Sequence, residues 1–285
     1  MSAVAWVLNL DAEDELSRGG AHTPTIAMTE RVQSLLPRLA PLLRPGDQII
    51  WPGEAKVDPS FTGRAWCPTR WALERMERVG VRVPKTPSTE VLRRVNHRRF
   101  NHQLGQFLPG AGYVENEAEL IALLTEKAGW WLFKRALGYA GRGRKKFQPG
   151  ELDRAWIEAS LRDGDGLQVE PLVERVIDCA LHGFVAEDGN FTLGQPTIQE
   201  LDSYGAWSST RVASTELTAK ERAALQREGE KTARALNTAG YFGPFGIDAF
   251  RWRDRHGADH FQPRCEINAR YSMGWAIGMG DSRPD

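Results

Sequence analysis

Residues 245–274 of the chain read FGIDAFRWRDRHGADHFQPRCEINARYSMG. The apolar and aromatic residues of 245–252 predict one β-strand, and those of 260–268 predict a second. The polar segment between them contains His256 and Gly257, which form a turn signal, so the two strands are expected to make an antiparallel hairpin. The rest of the chain is best understood in relation to this hairpin.

Two acidic residues of the hairpin are expected to face each other. Asp248 and Glu266 are each nine positions from Gly257 (257 − 248 = 9 and 266 − 257 = 9), so a symmetric turn places them opposite one another. Opposed carboxylates repel, and a divalent cation between them would remove that cost. Strand alternation puts Asn268 on the face of Glu266, and such oxygen ligands suit Mg²⁺. The alternative is an exposed hairpin with solvated acids.

The run EINAR at residues 266–270, with Asp248 on the preceding strand, resembles the ATP-grasp superfamily. Members of this superfamily are mostly carboxylate–amine ligases that bind ATP between two α+β lobes. The resemblance implies that Asp248, Glu266 and Asn268 hold Mg²⁺, with Mn²⁺ as an alternative ion. Arg270 is expected to be catalytic, because its guanidinium can reach a transferring phosphoryl group.

Composition and charge exclude several classes of protein. The 285 residues are 41% hydrophobic and 26% charged, which is ordinary for a globular protein of one or two domains. The 37 basic residues balance the 37 acidic ones, so no nucleic-acid or membrane partner is expected. No apolar run reaches the roughly 20 residues of a membrane span. Three widely spaced cysteines fit no disulfide framework, which favours a cytoplasmic location.

Residues 1–92 predict a small parallel α/β domain, and the resemblance implies that it is a pre-grasp domain that helps to form the substrate site. Asp11, Asp14 and His22 follow strand ends, where ligands tend to bind, although a solvated loop residue is the commoner role for each. No G-x-G-x-x-G follows the first strand, so a dinucleotide-binding domain has little support. Three short apolar runs predict parallel strands that alternate with helical patterns, at residues 4–10, 47–51 and 81–83.

Residues 93–165 are expected to form a small, phosphate-binding lobe. The strand at 130–134 is apolar except for Lys134, and a buried lysine needs an anionic partner, for which a nucleotide phosphate would serve. A glycine-rich loop, GYAGRGR at 138–144, follows and would let backbone N–H groups approach phosphate. A P-loop is excluded because Arg and Lys end this loop where Lys and Ser or Thr are required.

The resemblance assigns roles to these residues. Lys134 would contact the phosphates and take part in catalysis, and the loop residues Gly141, Arg142 and Gly143 would close over the nucleotide. The superfamily usually has a further phosphate-contacting lysine near residue 98. This chain has Arg98 there, with Arg99 as the other option and an exposed basic helix face as the alternative.

Residues 166–285 are expected to form a large lobe. Residues 167–173 predict a strand interrupted at Pro171, which has no N–H for the ladder. The resemblance implies that this segment links the lobes and binds the adenine. The candidates for nucleotide contact are Glu170 for the adenine amine, Val173 through its backbone and Asp178 for the ribose, with Glu174 as the other option for the ribose.

A substrate-binding loop is expected at residues 199–207, because the segment mixes acids, hydroxyls and an aromatic residue. The candidate substrate residues are Glu200, Asp202 and Arg211, and a plain surface loop is the alternative. A core helix should follow, since Thr218 and Glu221 have the spacing of a capping box.

The sequence therefore predicts an α+β protein with a pre-grasp domain and a two-lobed ATP-grasp domain. The expected activity is ATP- and Mg²⁺-dependent ligation, in which a small-molecule or peptide carboxylate becomes an acyl phosphate and is joined to an amine. Two alternatives stay open: an ATP-grasp phosphotransferase, and a non-catalytic nucleotide-binding or partner module. The sequence does not define the oligomeric state, and a homodimer is compatible with it.

Overall fold

The computed structural model describes residues 3–19, 22–54, 56–105, 107–124, 129–138, 143–148, 150–162, 165–201 and 207–284. Three candidate site residues, Gly141, Arg142 and Asp202, lie outside the described residues. The described chain forms three separate β-sheets with helices, one parallel and two antiparallel, which confirms the predicted fold class. None of the described helices is long and apolar enough to cross a lipid bilayer.

The first sheet consists of three parallel strands in the order β2-β1-β3. The prediction of its third strand at residues 81–83 was wrong, because Arg82 makes only an isolated bridge to Thr62. The true third strand has the sequence TGRA, which carries no apolar strand signal. The elements of this part are β1 (Val4–Val7), α1 (Ala12–Arg18), α2 (Ile26–Leu39), β2 (Gln48–Ile49), β3 (Thr62–Ala65) and α3 (Arg70–Val79).

The acidic segment after β1 is helical rather than a solvated loop. Asp11 occupies the N-cap position of α1 and is 4% exposed. His22 Nε2 lies 3.0 Å from Asp11 Oδ2, and both side chains are 5% exposed. The expectation of solvated loop residues is therefore wrong for Asp11 and His22. Glu13 and Glu15 in the first turn of α1 are also buried, and acidic residues there suit the positive end of the helix dipole.

The second sheet has four antiparallel strands in the order β4-β7-β5-β6. Its β7 pairs with both β4 and β5, so the sheet continues across the boundary predicted between residues 165 and 166. A separate core cluster of Phe133, Phe147 and Val169 lies beneath it. The elements are α4 (Thr89–Asn96), α5 (Arg98–Gln103), β4 (Gly112–Val114), α6 (Glu117–Leu124), β5 (Trp131–Arg135), β6 (Arg144–Phe147), α7 (Arg154–Leu161) and β7 (Leu167–Pro171).

The third sheet is antiparallel, in the order β11-β10-β8-β12-β13, with β9 also paired to β8. The prediction of a loop at 199–207 was wrong for the described part of this segment. Residues 197–201 and 207–212 form paired strands. The capping box of Thr218 and Glu221 is present at the start of the long helix. The elements are β8 (Glu174–Val185), β9 (Phe191–Leu193), β10 (Thr197–Leu201), β11 (Trp207–Val212), α8 (Ala219–Thr238), β12 (Gly243–Arg253), β13 (Asp259–Asn268) and α9 (Trp275–Met279).

The predicted hairpin is formed by β12 and β13, and Asp248 pairs with Glu266 as expected. The turn itself is centred one residue before Gly257, because Arg253 pairs with Asp259. The pairs 250–262 and 248–266 show that two positions of β12 correspond to four of β13 (250 − 248 = 2 and 266 − 262 = 4). A bulge with two extra residues in β13 therefore brings Glu266 back opposite Asp248. The bulge contains Pro263, which has no N–H to donate to the strand ladder.

The largest core cluster joins the first sheet to the third. Trp6 of β1 makes an edge contact with Tyr271, at a distance of 5.0 Å between ring centroids, and Tyr271 makes another with Trp275 of α9. The backbone N–H of Tyr271 donates to the carbonyl of Trp66. Leu181 of β8 belongs to the same cluster. The N-terminal part and the large sheet thus share one core.

Candidate active site

The opposed carboxylates lie on one face of the large sheet together with two amide side chains. Asn268 Nδ2 donates to Asp248 Oδ2 at 3.0 Å, which confirms that Asn268 is on their side. Gln199 Nε2 of β10 donates to Asp248 Oδ1 at 2.8 Å. Side chains from β10 and β13 therefore hold the carboxylate of Asp248, which lies on β12, and β8 lies between β10 and β12.

The two carboxylates differ in their electrostatic surroundings. Burial and the nearby Glu266 raise the pKa of Asp248 to about 6. Burial also opposes ionisation of Glu266, but Arg98 and Lys134 outweigh it, and the pKa of Glu266 lies below its ordinary value. Both groups are mainly ionised at neutral pH, so Asp248 is the carboxylate that a further cation would stabilise most.

Arg98, the first residue of α5, connects the small lobe to this carboxylate pair. Its Nη1 lies 2.7 Å from Glu266 Oε1, and its Nε donates to the carbonyl of Arg135 at 2.9 Å. Its backbone N–H donates to the carbonyl of Ala136. Arg99 instead pairs with Glu115, outside this group of residues. Of the two arginines considered for phosphate contact, Arg98 is therefore the one beside the carboxylates.

Lys134 is buried, as the sequence predicts, but its anionic partner lies within the chain. Lys134 Nζ is 2.6 Å from Glu170 Oε1, and the two residues are 5% and 4% exposed. Gln168 Nε2 donates to the other Glu170 oxygen at 2.8 Å. The inference that this lysine needs a nucleotide phosphate is corrected accordingly, because Glu170 already meets the requirement.

Arg270 follows β13 and binds a residue of the N-terminal part. Its Nε donates to Glu13 Oε1 at 2.5 Å, and its Nη1 donates to the carbonyl of Tyr271. Its guanidinium carbon lies 5.6 Å from the ring centroid of Trp66. The charge of Arg270 also acts on Glu266, so the N-terminal part contributes to the surroundings of the carboxylate pair.

The remaining nucleotide candidates are Gly143, just before β6, Val173, just before β8, and Asp178 on β8. Val173 is half-buried and packs against Phe250 and its neighbours. Asp178 pairs with Arg175 at 2.8 Å, and β8 runs directly beside β12. Gly143 has a φ of 71°, which favours glycine, and its carbonyl accepts from Arg135 N–H. Their contacts with a nucleotide stay a prediction.

The two described substrate candidates lie together on the β10–β11 hairpin. Arg211 Nε is 3.3 Å from Glu200 Oε1, and Arg211 also pairs with Glu216. Both Glu200 and Arg211 are about half exposed (side-chain exposures of 53% and 47%). Glu200 follows Gln199, the donor to Asp248, so the hairpin borders the carboxylate pair. Their role in substrate binding stays a prediction.

The donor set fits Mg²⁺ held jointly with a nucleotide. Asp248, Glu266 and the amide oxygen of Asn268 are hard oxygen ligands on one sheet face. Within the described ranges, no group of three or more His, Cys, Asp or Glu side chains is arranged to hold a metal. The protein would therefore supply part of the coordination shell, and phosphate oxygens or water would supply the remainder.

The sequence pointed to most of these residues but not to three of their partners. Gln199 was missed because its segment was taken for a loop, whereas it lies on β10 and pairs with Asp178 of β8. Gln168 was also missed, although it lies two residues before Glu170 on the same strand face. Glu13 has no signal in the sequence, since its contact with Arg270 spans 257 positions.

Comparison of the sequence with known proteins identifies no relative. No known family profile matches the chain, and no curated protein matches it. Similarity is found at the level of three-dimensional structure.

Three solved structures show this similarity. D-cycloserine synthetase DcsG aligns with a TM-score of 0.54 and 14% identity over 98% of each chain. N5-carboxyaminoimidazole synthetase from Staphylococcus aureus, complexed with ADP, aligns with a TM-score of 0.53 and 11% identity. The alignment covers 95% of this chain and 71% of the synthetase chain. Biotin carboxylase from Campylobacter jejuni, in a β,γ-ATP complex, aligns with a TM-score of 0.56 and 14% identity. The alignment covers 76% of this chain and 50% of the biotin carboxylase chain. The protein has the ATP-grasp fold.

These identities define the fold and not the reaction. The chain also spans about half the length of the biotin carboxylase chains that it matches.

Proposed function

We propose that the protein is an ATP- and Mg²⁺-dependent ligase that activates a carboxylate as an acyl phosphate and joins it to an amine. The observation that carries the proposal is the Asp248–Glu266 pair with Asn268 on one face of an ATP-grasp sheet. The charges of Arg98, Lys134 and Arg270 all act on Glu266. Oxygen ligands for a cation thus lie beside fixed positive charge, as phosphoryl transfer requires.

We propose three structural units for this function. The N-terminal unit extends to residue 92 and presents Glu13 to Arg270. The small lobe extends from residue 93 to Pro171, because β7 is part of its sheet. The large lobe follows and carries the carboxylate pair. The nucleotide would bind between the two lobes, where Arg98 already connects them.

The proposed reaction has two steps. An oxygen of the substrate carboxylate attacks the γ-phosphorus of ATP, and the bond to the β,γ-bridging oxygen breaks, releasing ADP. The amine nitrogen then attacks the acyl carbon, the bond from that carbon to the phosphate oxygen breaks, and the amine loses a proton. Phosphate leaves and an amide remains. Most of the catalysis comes from positioning and from neutralising charge on the transferring group.

Three basic residues proposed for the site, all within the described part of the chain, are already paired with a carboxylate of the chain. Arg98 pairs with Glu266, Lys134 with Glu170 and Arg270 with Glu13. These pairs keep largely buried cations stable when no nucleotide is bound. We propose that the phosphates of ATP take over part of this pairing, so that Lys134 and Arg98 hold the polyphosphate and Arg270 faces the transferring group.

Asp248, Glu266 and Asn268 are the residues that would hold Mg²⁺. When bound, the ion would neutralise phosphate oxygens and orient them. Gln199 and Asn268 keep the Asp248 carboxylate in a fixed orientation through their two hydrogen bonds. Burial and Glu266 raise the pKa of Asp248, so a cation bound there would stabilise its ionised form.

Binding of a nucleotide without turnover is the second candidate function. The observation that favours it is the complete internal pairing of Arg98, Lys134 and Arg270. If these pairs persist when ATP binds, the cations are not free to stabilise a transferring phosphoryl group. Binding of Mg·ATP without ADP release, over a broad panel of carboxylates and amines, would identify this function.

The first experiment is thermal unfolding with ATP, with and without Mg²⁺. A ligand that binds only the folded state stabilises it by about 2.7 kcal/mol at 100 times its Kd. We expect a Mg²⁺-dependent rise in Tm for the wild type and its loss in Asp248→Asn. ADP release is then measured across the panel, and an amide product distinguishes a ligase from a phosphotransferase.

Asp259→Asn is the matched control. Asp259 lies at the far end of the same hairpin, is exposed and pairs with Arg253. This variant should keep the full response to Mg·ATP. The absence of any Mg²⁺-dependent rise in the wild type, or an unchanged rise in Asp248→Asn, would contradict the assignment of the site.

A further inference from the structure

Strand β13, which carries two of the residues proposed to hold Mg²⁺, lies at the edge of the large sheet. The strand order of this sheet ends with β13, and no other described strand pairs with its outer edge. Backbone N–H and C=O groups at such an edge need other partners when they are buried. Helices α4 and α5, at the junction of the N-terminal unit and the small lobe, supply partners for several of them.

Asn96, the last residue of α4, binds both backbone groups of Ala269. Its Oδ1 accepts from the Ala269 N–H at 2.9 Å, and its Nδ2 donates to the Ala269 carbonyl at 3.4 Å. The Nδ2 group carries two hydrogens and also donates to the carbonyl of Leu92, one turn earlier in α4, at 2.9 Å. The contact with Leu92 fixes the orientation of the amide, so Asn96 meets Ala269 much as a paired strand would.

Two side chains of α5 hold the same strand. Asn101 Nδ2 donates to the carbonyl of Cys265 at 3.1 Å, and Arg98 pairs with Glu266. Cys265 and Ala269 are four positions apart (269 − 265 = 4), so their backbone groups face the same edge of the strand. The two asparagine contacts therefore lie on either side of the segment that carries both proposed ligands.

Ala269 occupies a critical position in this segment. It lies between Asn268, a proposed Mg²⁺ ligand, and Arg270, which is proposed to face the transferring group. The side chain of Asn268 is directed to Asp248, whereas that of Arg270 is directed to Glu13. A rotation of the backbone at Ala269 would move both side chains. A displacement of about 1 Å in such groups can lower a rate by about 10²-fold.

We propose that Asn96 is a positioning residue for the ligase reaction. It fixes the backbone of Ala269, so that Asn268 and Arg270 keep their relative positions when Mg·ATP binds. This role rests on the proposed function, since it acts through two residues that the proposal places in the site. Arg98, two residues after Asn96, is bonded to the carbonyl of Arg135 in the small lobe, so one short segment contacts the small lobe and the ligand-bearing strand.

The test separates this role from a contribution to stability alone. Asn96→Ala removes the contacts with Ala269 and with Leu92. Asn96→Ser is the milder variant, because a serine hydroxyl can still bond the carbonyl four residues earlier in a helix but is too short to reproduce both bonds to Ala269. If Asn96 only stabilised the fold, both variants would lower Tm and leave the kinetic constants of the folded protein unchanged.

The full chain of each variant is titrated with Mg²⁺ at saturating ATP, below its Tm, with the rise in Tm as the readout. ADP release is then measured with the substrates found for the wild type. In both variants we expect the Mg²⁺ concentration for half of the response to increase by about tenfold, and kcat to fall by about 10²-fold. The KM for ATP at saturating Mg²⁺ should stay within about threefold of the wild type, because Asn96 does not touch the nucleotide.

Asn116→Ala is the matched control. The Asn116 side chain also makes two hydrogen bonds, both with Glu119 at the start of α6 and away from the carboxylate pair. Its Mg²⁺ requirement and kcat should equal those of the wild type, even where its Tm is lower. Wild-type values in Asn96→Ala, or equal losses in Asn96→Ala and Asn116→Ala, would overturn the positioning role alone. No Mg²⁺-dependent response in the wild type would instead contradict the proposed function and, with it, this role.

Discussion

Lys134 and Glu170 form the most completely buried ion pair among the residues proposed to bind the nucleotide. Pairing in a dry environment offsets the cost of removing both charges from water, provided that neither partner is lost. Gln168 satisfies a second oxygen of Glu170. The stability of the small lobe should therefore depend on this pair even when no nucleotide is present.

We predict that Lys134→Met lowers the free energy of unfolding by about 3–5 kcal/mol, because it leaves the Glu170 charge buried without its cation. Urea unfolding measures this change. The double variant Lys134→Met/Glu170→Met should recover most of the loss, since an apolar pair replaces the ionic one.

Lys145→Met is the control for this prediction. Lys145 pairs with Asp153 at the same distance of 2.6 Å, but both side chains are more than 40% exposed. A surface pair of this kind contributes about 0–1 kcal/mol. Equal effects of Lys134→Met and Lys145→Met would show that the Lys134 pair is not buried in solution.

His182 on β8 gives the protein a pH-dependent stability. It is 2% exposed, and burial lowers its pKa from 6.5 to about 4. Below pH 6.5 the unfolded chain binds a proton that the folded chain excludes, so stability falls as the pH decreases toward 4. Between pH 7 and 4.5, His182 should lower the free energy of unfolding by about 2 kcal/mol.

Urea unfolding at the two pH values measures the free energy of unfolding. Comparison with a variant that lacks His182 separates its contribution from that of the other titrating groups. In His182→Gln the loss of stability between pH 7 and 4.5 should be smaller by that amount. His256→Gln, in the exposed turn of the hairpin, should behave like the wild type. An identical pH dependence in His182→Gln would mean that His182 is not held neutral by burial.

At the scale of elements, the C-terminal helix α9 is held against the large sheet by close backbone contacts. The N–H of Gln195, between β9 and β10, donates to the carbonyl of Gly278 at 2.7 Å. Gly194 lies so close that an added Cβ would be 2.2 Å from the same carbonyl oxygen. Glycine is required at residue 194 because of this approach, and not because of its φ angle.

We predict that Gly194→Ala destabilises the protein by about 1–3 kcal/mol, because α9 must move away from the sheet. Thermal and urea unfolding measure the loss. Gly150→Ala is the control, since a Cβ there meets no atom within 4 Å, and its stability should stay close to that of the wild type. A neutral Gly194→Ala would show that α9 docks loosely.

In the hairpin of β12 and β13, Asp248 faces Glu266 as predicted, although the turn is not where the prediction placed it. The symmetric-turn argument paired Asp248 with Glu266, but the real turn is displaced by one residue. The bulge containing Pro263 compensates for this displacement. Alternation along each strand survives on the far side of the bulge, so Glu266 and Asn268 still share a face with Asp248.

At the scale of the whole molecule, the apolar cores divide the chain unequally. Trp6 and Leu181 belong to one cluster that joins the first and third sheets. Phe133 and Val169 belong to a separate cluster under the four-stranded sheet. The four-stranded sheet of the small lobe should therefore be able to unfold on its own, whereas the first and third sheets should unfold together.

Native-state hydrogen exchange at increasing urea tests this division. We expect amides of β5 and β7 to lose protection at lower urea than those of β8 and β12, because their cooperative unit is smaller. Amides of β1 should follow β8, since they share a core. Exchange of all five strands in one transition would contradict the separation of the small lobe.

The sequence was enough to predict the fold class, the hairpin in which Asp248 faces Glu266, and the start of the long helix. These features depend on local patterns: alternation along a strand, a turn signal and the spacing of Thr218 and Glu221. Lys134 was also predicted to be buried, because it stands alone on an apolar strand. Each of these inferences needs only neighbouring residues.

The contacts of the charged residues depend on how the folded elements pack together. Glu13 meets Arg270 across 257 positions, and Arg98 on helix α5 meets Glu266 on β13. The tertiary structure likewise decided that the TGRA segment is a strand and that Asp11 is buried. The reason is physical: such contacts arise when separate elements pack, and packing depends on the whole surface of each element rather than on any local pattern of residues.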